Sequence, residues 1–285
     1  MDTSSLPLPR PLLLGPRVTD WLIARGAVSG TPEVASLLRG SPSWIERASA
    51  AALEAGCDVV FAATDCTTPY ALAESGNAFR AAALTARAVE IALQASALSA
   101  YPVAVAGIIG AGVPPKDASH AFGEHVAHAE RLALAGVHIL VAEAPHLESL
   151  REVVRASLPT RLPTWATVPV NEDGRAWGQH DLAEAAASLE GDGASTLLLV
   201  APTVAAASAA LLAVVGLPWM IRLTRSHDFE ADVGTLLPLG ARGIGGPAHL
   251  DPPALLRIEN MLRPRRPSGA PPRPSLSVPP PRISR

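Results

Sequence analysis

Short apolar runs alternate with Ala-rich stretches along this chain, with a repeat of about 30 residues. The runs lack polar alternation, which is typical of strands that are covered on both faces of a parallel sheet. The stretches between them place small apolar residues at helical spacing, as in 43–55. This alternation predicts repeated βα units and argues against an all-helical or all-β fold.

Eight apolar runs can be counted. The predicted strands are 11–14, 58–62, 103–106, 138–141, 164–168, 196–200, 219–223 and 243–245. The predicted helices include 43–55, 77–95, 121–135, 147–156 and 181–189. Eight βα units in about 250 residues most simply close into a (β/α)8 barrel. An open doubly wound sheet is the alternative, but no G-x-G-x-x-G turn follows the first strand. We therefore predict the α/β class and a single TIM barrel.

Charge is distributed unevenly along the chain. Residues 263–285 hold six arginines and eight prolines without an acid, whereas the rest carries 17 basic against 26 acidic residues. The acidic body argues against nucleic-acid binding. We predict an N-terminal extension at 1–10, the barrel at 11–262 and a disordered Pro/Arg-rich tail at 263–285. The tail either binds a protein partner or is only a solubilising extension.

Cysteine content and hydropathy bear on the compartment. Two cysteines cannot form a disulfide framework, and no signal peptide is recognisable, so we expect a cytoplasmic protein. The uncharged stretches 91–115 and 193–221 are long enough to span a membrane, but Gly and Pro interrupt both. We interpret them as buried barrel segments and expect no membrane span.

Five segments occur in the order found in a known family. They are LLLG at 12–15, AGCDVV at 55–60, VAGIIG at 105–110, GVHILVAE at 136–143 and GARGIGG at 240–246. Together they resemble the homocysteine S-methyltransferase family, the zinc-dependent barrel of methionine synthases and betaine-homocysteine methyltransferases. The resemblance covers roughly residues 12 to 260 and implies a (β/α)8 barrel.

The resemblance also implies a metal site, which this sequence does not reproduce. In the family, one thiolate after the sixth strand and two after the eighth hold zinc, which activates the thiol of homocysteine. Those places hold Ala201-Pro202 and Pro247-Ala248 here. The family positions Pro202, Pro247 and Ala248 offer no donor atom, so we expect neither the family's metal site nor another cofactor.

The ligand-binding residues of the family are only partly present. An acid in the first-strand turn and a glutamate after the fourth strand hold the amino-acid head group there. The first matches Leu14 and the second matches Glu143. We predict that Glu143, Thr64, Asp65 and Gly15 contact a small, amino-acid-like ligand.

A rebuilt zinc site remains an alternative, since zinc accepts mixed Cys and His ligands. Cys66, His227 and His249 all follow predicted strands, on the face where barrel active sites form. The competing interpretation is a solvated loop face. Cys66 is also a candidate nucleophile, although no adjacent base can be assigned to it.

Two further groups have competing interpretations. His125 and His128 lie three residues apart on a predicted outer helix, where a solvated face is favoured over a metal pair. Arg225, after the seventh strand, could bind a carboxylate or phosphate, but helix capping by Ser226 or Asp228 is favoured.

These observations favour a diverged family member, a zinc-free pseudoenzyme that binds a small ligand or partner. The alternative is an active S-methyltransferase of methionine metabolism, which makes methionine from homocysteine or methylates another nucleophile at an unorthodox metal site. A cobalamin methyl donor would then be a separate protein, since the chain contains no D-x-H-x-x-G segment.

Overall fold

The computed structural model describes residues 10–73, 75–110, 118–177, 180–212 and 216–262, with the backbone alone for 118–120. Within these ranges eight parallel strands form a closed barrel in chain order, which confirms the predicted (β/α)8 fold. The predicted tail at 263–285 and all but the last residue of the predicted extension at 1–10 lie outside the described residues.

The strands agree closely with the predicted apolar runs. They are β1 (Leu12–Leu14), β2 (Val59–Phe61), β3 (Ala104–Ile109), β4 (Ile139–Ala142), β5 (Thr164–Pro169), β6 (Thr196–Ala201), β7 (Trp219–Leu223) and β8 (Gly243–Gly245). The largest difference is at β3, which continues three residues past the predicted end.

Helices surround this barrel. They are α1 (Val18–Ile23), α2 (Thr31–Gly40), α3 (Ser43–Glu54), α4 (Pro69–Ala73), α5 (Ala81–Ala97), α6 (Ala118–Ala135), α7 (Leu147–Ser157), α8 (Leu182–Gly191), α9 (Val204–Leu211), α10 (Phe229–Leu236) and α11 (Pro252–Leu262). Left-handed glycines end two of the predicted helices, with φ of 77° at Gly56 and 98° at Gly136. None of the helices in the described ranges has the length and apolarity needed to cross a membrane.

Large side chains fill the lower interior of the barrel. Phe61, Ile108, Trp165, Leu198 and Met220 belong to one buried cluster, to which seven of the eight strands contribute residues in total. A second cluster lies between the outer face of the sheet and the helices. Because the interior is packed, space for a ligand remains only near the carboxyl ends of the strands.

The expectation of a solvated histidine face on α6 was wrong. His125 is 8% exposed and His128 is 1% exposed. Helix α6 packs between α5 and α7 and against β3, so this face is turned into the helix layer. Burial lowers the pKa of His128 to about 3, and the residue is therefore neutral at neutral pH.

Asp58 joins the start of the chain to the barrel. Its carboxylate accepts a hydrogen bond from the backbone N–H of Leu13 at 2.8 Å. It also accepts two from the guanidinium of Arg10, at 2.9 and 2.5 Å. Asp58 is 9% exposed, so these contacts form in a largely desolvated place.

We predict that Asp58→Ala lowers the free energy of unfolding by about 2–4 kcal/mol, because a buried N–H and a guanidinium lose their acceptor. Urea denaturation followed by circular dichroism measures this change. Glu90→Ala is the matched control, since its ion pair with Arg87 lies on an exposed helix face. The control should change stability by no more than about 0.5 kcal/mol, and equal effects of the two variants would contradict the anchoring role.

Candidate active site in the barrel mouth

A pocket of about 360 Å³ opens at the carboxyl ends of the strands. Its lining includes acids and arginines from both halves of the barrel, namely Arg17, Asp20, Asp65, Glu143 and Arg222. This volume is at the lower end of the range of small-molecule sites. The pocket is therefore suited to a metabolite of modest size.

Arg17 crosses one side of the pocket. It lies in the turn between β1 and α1, and its Nη2 is 2.9 Å from Oδ2 of Asp65. Its Nη1 is 3.0 Å from Oε2 of Glu143. One guanidinium therefore links the first strand turn, the loop after β2 and the end of β4.

Burial affects the two partners of this ion pair differently. It lowers the pKa of Arg17, but the carboxylates of Glu143 and Asp65 outweigh this effect and raise the pKa above its ordinary value. Burial raises the pKa of Glu143, which the charge of Arg17 only partly opposes. Glu143 Oε1 is buried and has no hydrogen-bond partner among the described residues, so it is an unsatisfied acceptor at the pocket wall.

Arg222 lies on the other side of the pocket. Strand β7 places it inside the barrel, paired in register with Val200 of β6 and Gly245 of β8. Its guanidinium carbon lies 4.5 Å from the ring centroid of Phe61. Burial, then the charge of Arg17, lowers the pKa of Arg222 to about 10, which leaves it charged at neutral pH.

The predicted ligand contacts divide into two groups. Asp65 and Glu143 come together in the pocket through Arg17. Thr64 does not line the pocket, and its hydroxyl joins β2 to β3 by accepting from the N–H of Ile108 at 2.7 Å. Gly15 also lies outside the lining, where a Cβ would stand 3.0 Å from the carbonyl oxygen of Val59. Contacts of Thr64 and Gly15 with a ligand stay predictions.

The candidates for a rebuilt metal site do not assemble. His227 and His249 are exposed, whereas Cys66 is fully buried. In the part of the chain that the structure describes, no group of three or more His, Cys, Asp or Glu side chains could hold a metal ion. Burial and the charge of Asp65 raise the pKa of Cys66 well above its ordinary value, which disfavours the thiolate that a nucleophile needs.

The loop after β7 has the helix-capping role that the sequence favoured. Asp228 caps α10 by accepting a hydrogen bond from the N–H of Ala231. Arg225 is 70% exposed and pairs with Glu172 at 2.7 Å on the rim. This favours capping over an anion site at Arg225.

Sequence reasoning missed Arg17, Arg222 and Thr167 as pocket residues. One signal was present for Arg222, since it is the single charged residue in the apolar run 219–223. A charge inside a buried strand is rare unless it is paired or functional.

These features define a (β/α)8 barrel with a small-molecule pocket at the carboxyl ends of its strands. A sequence model described as homocysteine S-methyltransferase matches residues 20–231, and the chain belongs to this family.

Solved structures agree on the fold. The metallated form of the homocysteine methyltransferase MmuM from Escherichia coli superposes with a TM-score of 0.71 and 23% identity, over 88% of this chain and 96% of that chain. Its oxidised form gives a TM-score of 0.72 at the same identity and coverage. The carboxyl transferase domain of Rhizobium etli pyruvate carboxylase with pyruvate gives 0.54 and 15%, over 88% of this chain and 46% of that chain. No curated protein sequence matches the chain.

We predict that Arg17→Gln lowers the free energy of unfolding by about 3 kcal/mol near pH 8, and by less near pH 5. Without Arg17, the pKa of Glu143 rises further above its value in the unfolded chain. The folded state then binds more protons than the unfolded state between these two pKa values, so stability is lost as pH rises through that window. Urea denaturation at both pH values measures the difference.

Double variants provide the control for this prediction. Arg17→Gln/Glu143→Gln should recover part of the lost stability, because the unpaired charge is removed. The same change at exposed Glu148 should recover none. A loss that does not depend on pH, with no recovery in the first double variant, would contradict the ion-pair argument.

We expect Cys57 and Cys66 to be inert towards Ellman's reagent in the native protein and to react only after unfolding in guanidinium chloride. Both thiols are buried and neither forms a disulfide. An exposed thiol introduced in α8 as Ala187→Cys should react immediately in the folded protein. Rapid native reaction of Cys66 would revive its role as a nucleophile.

Proposed function

We propose that this protein is a diverged homocysteine S-methyltransferase family member that binds a small, amino-acid-like ligand without zinc-dependent thiol methyl transfer. The observation that carries the proposal is the position of Arg222. Its strand neighbours belong to β6 and β8, and the resemblance places the family's zinc thiolates after these two strands.

The residues present at these strand ends do not fit zinc. Strand β6 ends at Ala201 and is followed by Pro202, while Pro247 and Ala248 follow β8 after one glycine. None of these side chains has a donor atom, whereas zinc in such sites needs thiolate, imidazole or carboxylate ligands. The buried guanidinium of Arg222, which contacts Gly15 and Phe61, adds positive charge to the pocket and so further disfavours a divalent cation, since like charges repel strongly at low dielectric.

The acidic side of the pocket supports a ligand with a cationic group. Glu143 is 13% exposed, and its Oε1 faces no donor among the described residues. An ammonium group at this oxygen would share the carboxylate with Arg17. This contact matches the role that the resemblance assigns to the glutamate after the fourth strand.

Family membership itself favours the second candidate, an active S-methyltransferase with an unorthodox metal site and a separate methyl-donor protein. This candidate requires zinc, or another Lewis acid, near a substrate thiol. The expected compartment would be the same for both candidates, since two buried cysteines without a disulfide fit a reducing compartment such as the cytoplasm.

Zinc quantification separates the two candidates. Protein purified with added zinc should retain less than about 0.1 ion per chain, against about one for an intact thiolate site. Calorimetry should detect no homocysteine binding tighter than about 1 mM, because no metal ligates the thiol.

Two results would contradict the proposal. One is stoichiometric zinc that is lost in Cys66→Ser or His249→Ala. The other is micromolar homocysteine affinity that is lost in Glu143→Gln but kept in the surface control Glu148→Gln.

A further inference from the structure

We infer that Arg222 is the binding site for an anionic group of the ligand, a carboxylate or a phosphate. The inference rests on the proposed function in one respect, namely that the pocket binds a small ligand. It adds the chemical class of the group that binds beside Arg222.

The hydrogen-bonding capacity of Arg222 is largely unused. Among the described residues it makes one hydrogen bond, from Nη2 to the carbonyl oxygen of Gly15 at 3.3 Å. Its Nε is buried and has no partner there. Arg222 is only 6% exposed, so water compensates these donors poorly. A buried charge without acceptors is strongly unfavourable, which favours binding of an acceptor group.

The acids of the pocket do not supply this acceptor. The ion pairs of Asp65 and Glu143 are made with Arg17, and no ion pair joins a described acid to Arg222 within 4.0 Å. Asp20 and Glu143 influence Arg222 only through their charge at longer range. The two guanidinium groups therefore differ, since Arg17 has carboxylate partners and Arg222 has none in contact.

Space and neighbouring groups also suit an anion. Thr167 lines the same pocket, and its buried Oγ1 has no partner among the described residues. Position 245 is a glycine, where a Cβ would stand 3.6 Å from Nε of Arg222. It would also stand 3.3 Å from Cβ of Leu14, so the backbone of β8 approaches the guanidinium closely. A guanidinium presents donors in a planar fork that matches carboxylate and phosphate oxygens.

The two sides of the pocket together describe the ligand. Glu143 Oε1 offers an acceptor for a cationic group, and Arg222 offers donors for an anionic one. The end of the ligand that reaches Arg222 is therefore acidic. A purely structural role for Arg222, stacked on Phe61, would require no anion and is the interpretation that the experiment must exclude.

Matched probes test the charge requirement. L-aspartate and L-asparagine have nearly the same shape but differ in the acidic group, and inorganic phosphate is an anion without an amino-acid head. We expect calorimetry at constant ionic strength to show at least about tenfold tighter binding of aspartate or phosphate than of asparagine. Weak binding of all three with no difference would overturn the inference.

Variants then locate the site. Arg222→Gln should weaken binding of the preferred anion by at least about tenfold, and the exposed control Arg225→Gln should leave it unchanged. A structural role predicts a lower thermal midpoint for Arg222→Gln without a change in the aspartate-to-asparagine ratio, which would overturn the inference.

One measurement does not depend on the variant being folded. In the wild-type protein, titration with the preferred anion should shift the proton and nitrogen resonances of one buried arginine Nε group. Titration that shifts only exposed arginines would contradict a site at Arg222. The zinc content of the same samples distinguishes the two proposals. Zinc-free protein that does not bind anions contradicts the anion site alone. Zinc-loaded protein contradicts the proposed function.

Discussion

The ion-pair bridge made by Arg17 is the interaction on which the pocket depends. It holds Asp65 and Glu143, two carboxylates that would otherwise repel each other at low dielectric. It also fixes the relative positions of the turn after β1, the loop after β2 and the end of β4. Loops at the mouth of a barrel are usually its most variable parts, so a buried ion pair across three of them gives the pocket a defined wall.

This bridge also makes the second arginine distinctive. Arg17 is neutralised by carboxylates in direct contact, whereas Arg222 stacks on Phe61 and retains unpartnered donors among the described residues. One side of the pocket therefore has carboxylates that are paired with Arg17. The other side has a buried guanidinium without a carboxylate partner among the described residues. In a family barrel that binds zinc, thiolates supply negative charge to the dication. This is the opposite of the positive charge that Arg222 supplies. Under the proposed function, the change in chemistry would involve Arg222 and the ends of β6 and β8.

The sequence predicted the barrel well because its signals are local. Each apolar run indicates a strand and each Ala-rich stretch indicates a helix. The pairing of neighbouring strands follows once the eight βα units close into a barrel. Asp65 and Glu143 could be predicted because Glu143 directly follows β4 and Asp65 lies in the loop after β2. Arg17 could not, since the direction of a side chain in a turn depends on partners that are distant in sequence. The exposed face expected for His125 and His128 was wrong because periodicity shows that two residues share a face, but not which neighbour covers it.

Loss of a metal site does not require loss of the fold, because the two depend on different residues. The barrel interior is filled by side chains such as Ile108, Trp165 and Met220, below the strand ends where ligands bind. Replacing donor side chains at those ends with Pro and Ala leaves this packing intact. The guanidinium of Arg222 lies over the ring of Phe61 and lines the pocket above this packed interior. Under the proposed function, Arg222 would both disfavour zinc and favour an anionic ligand, because a buried cation repels a dication and attracts an anion.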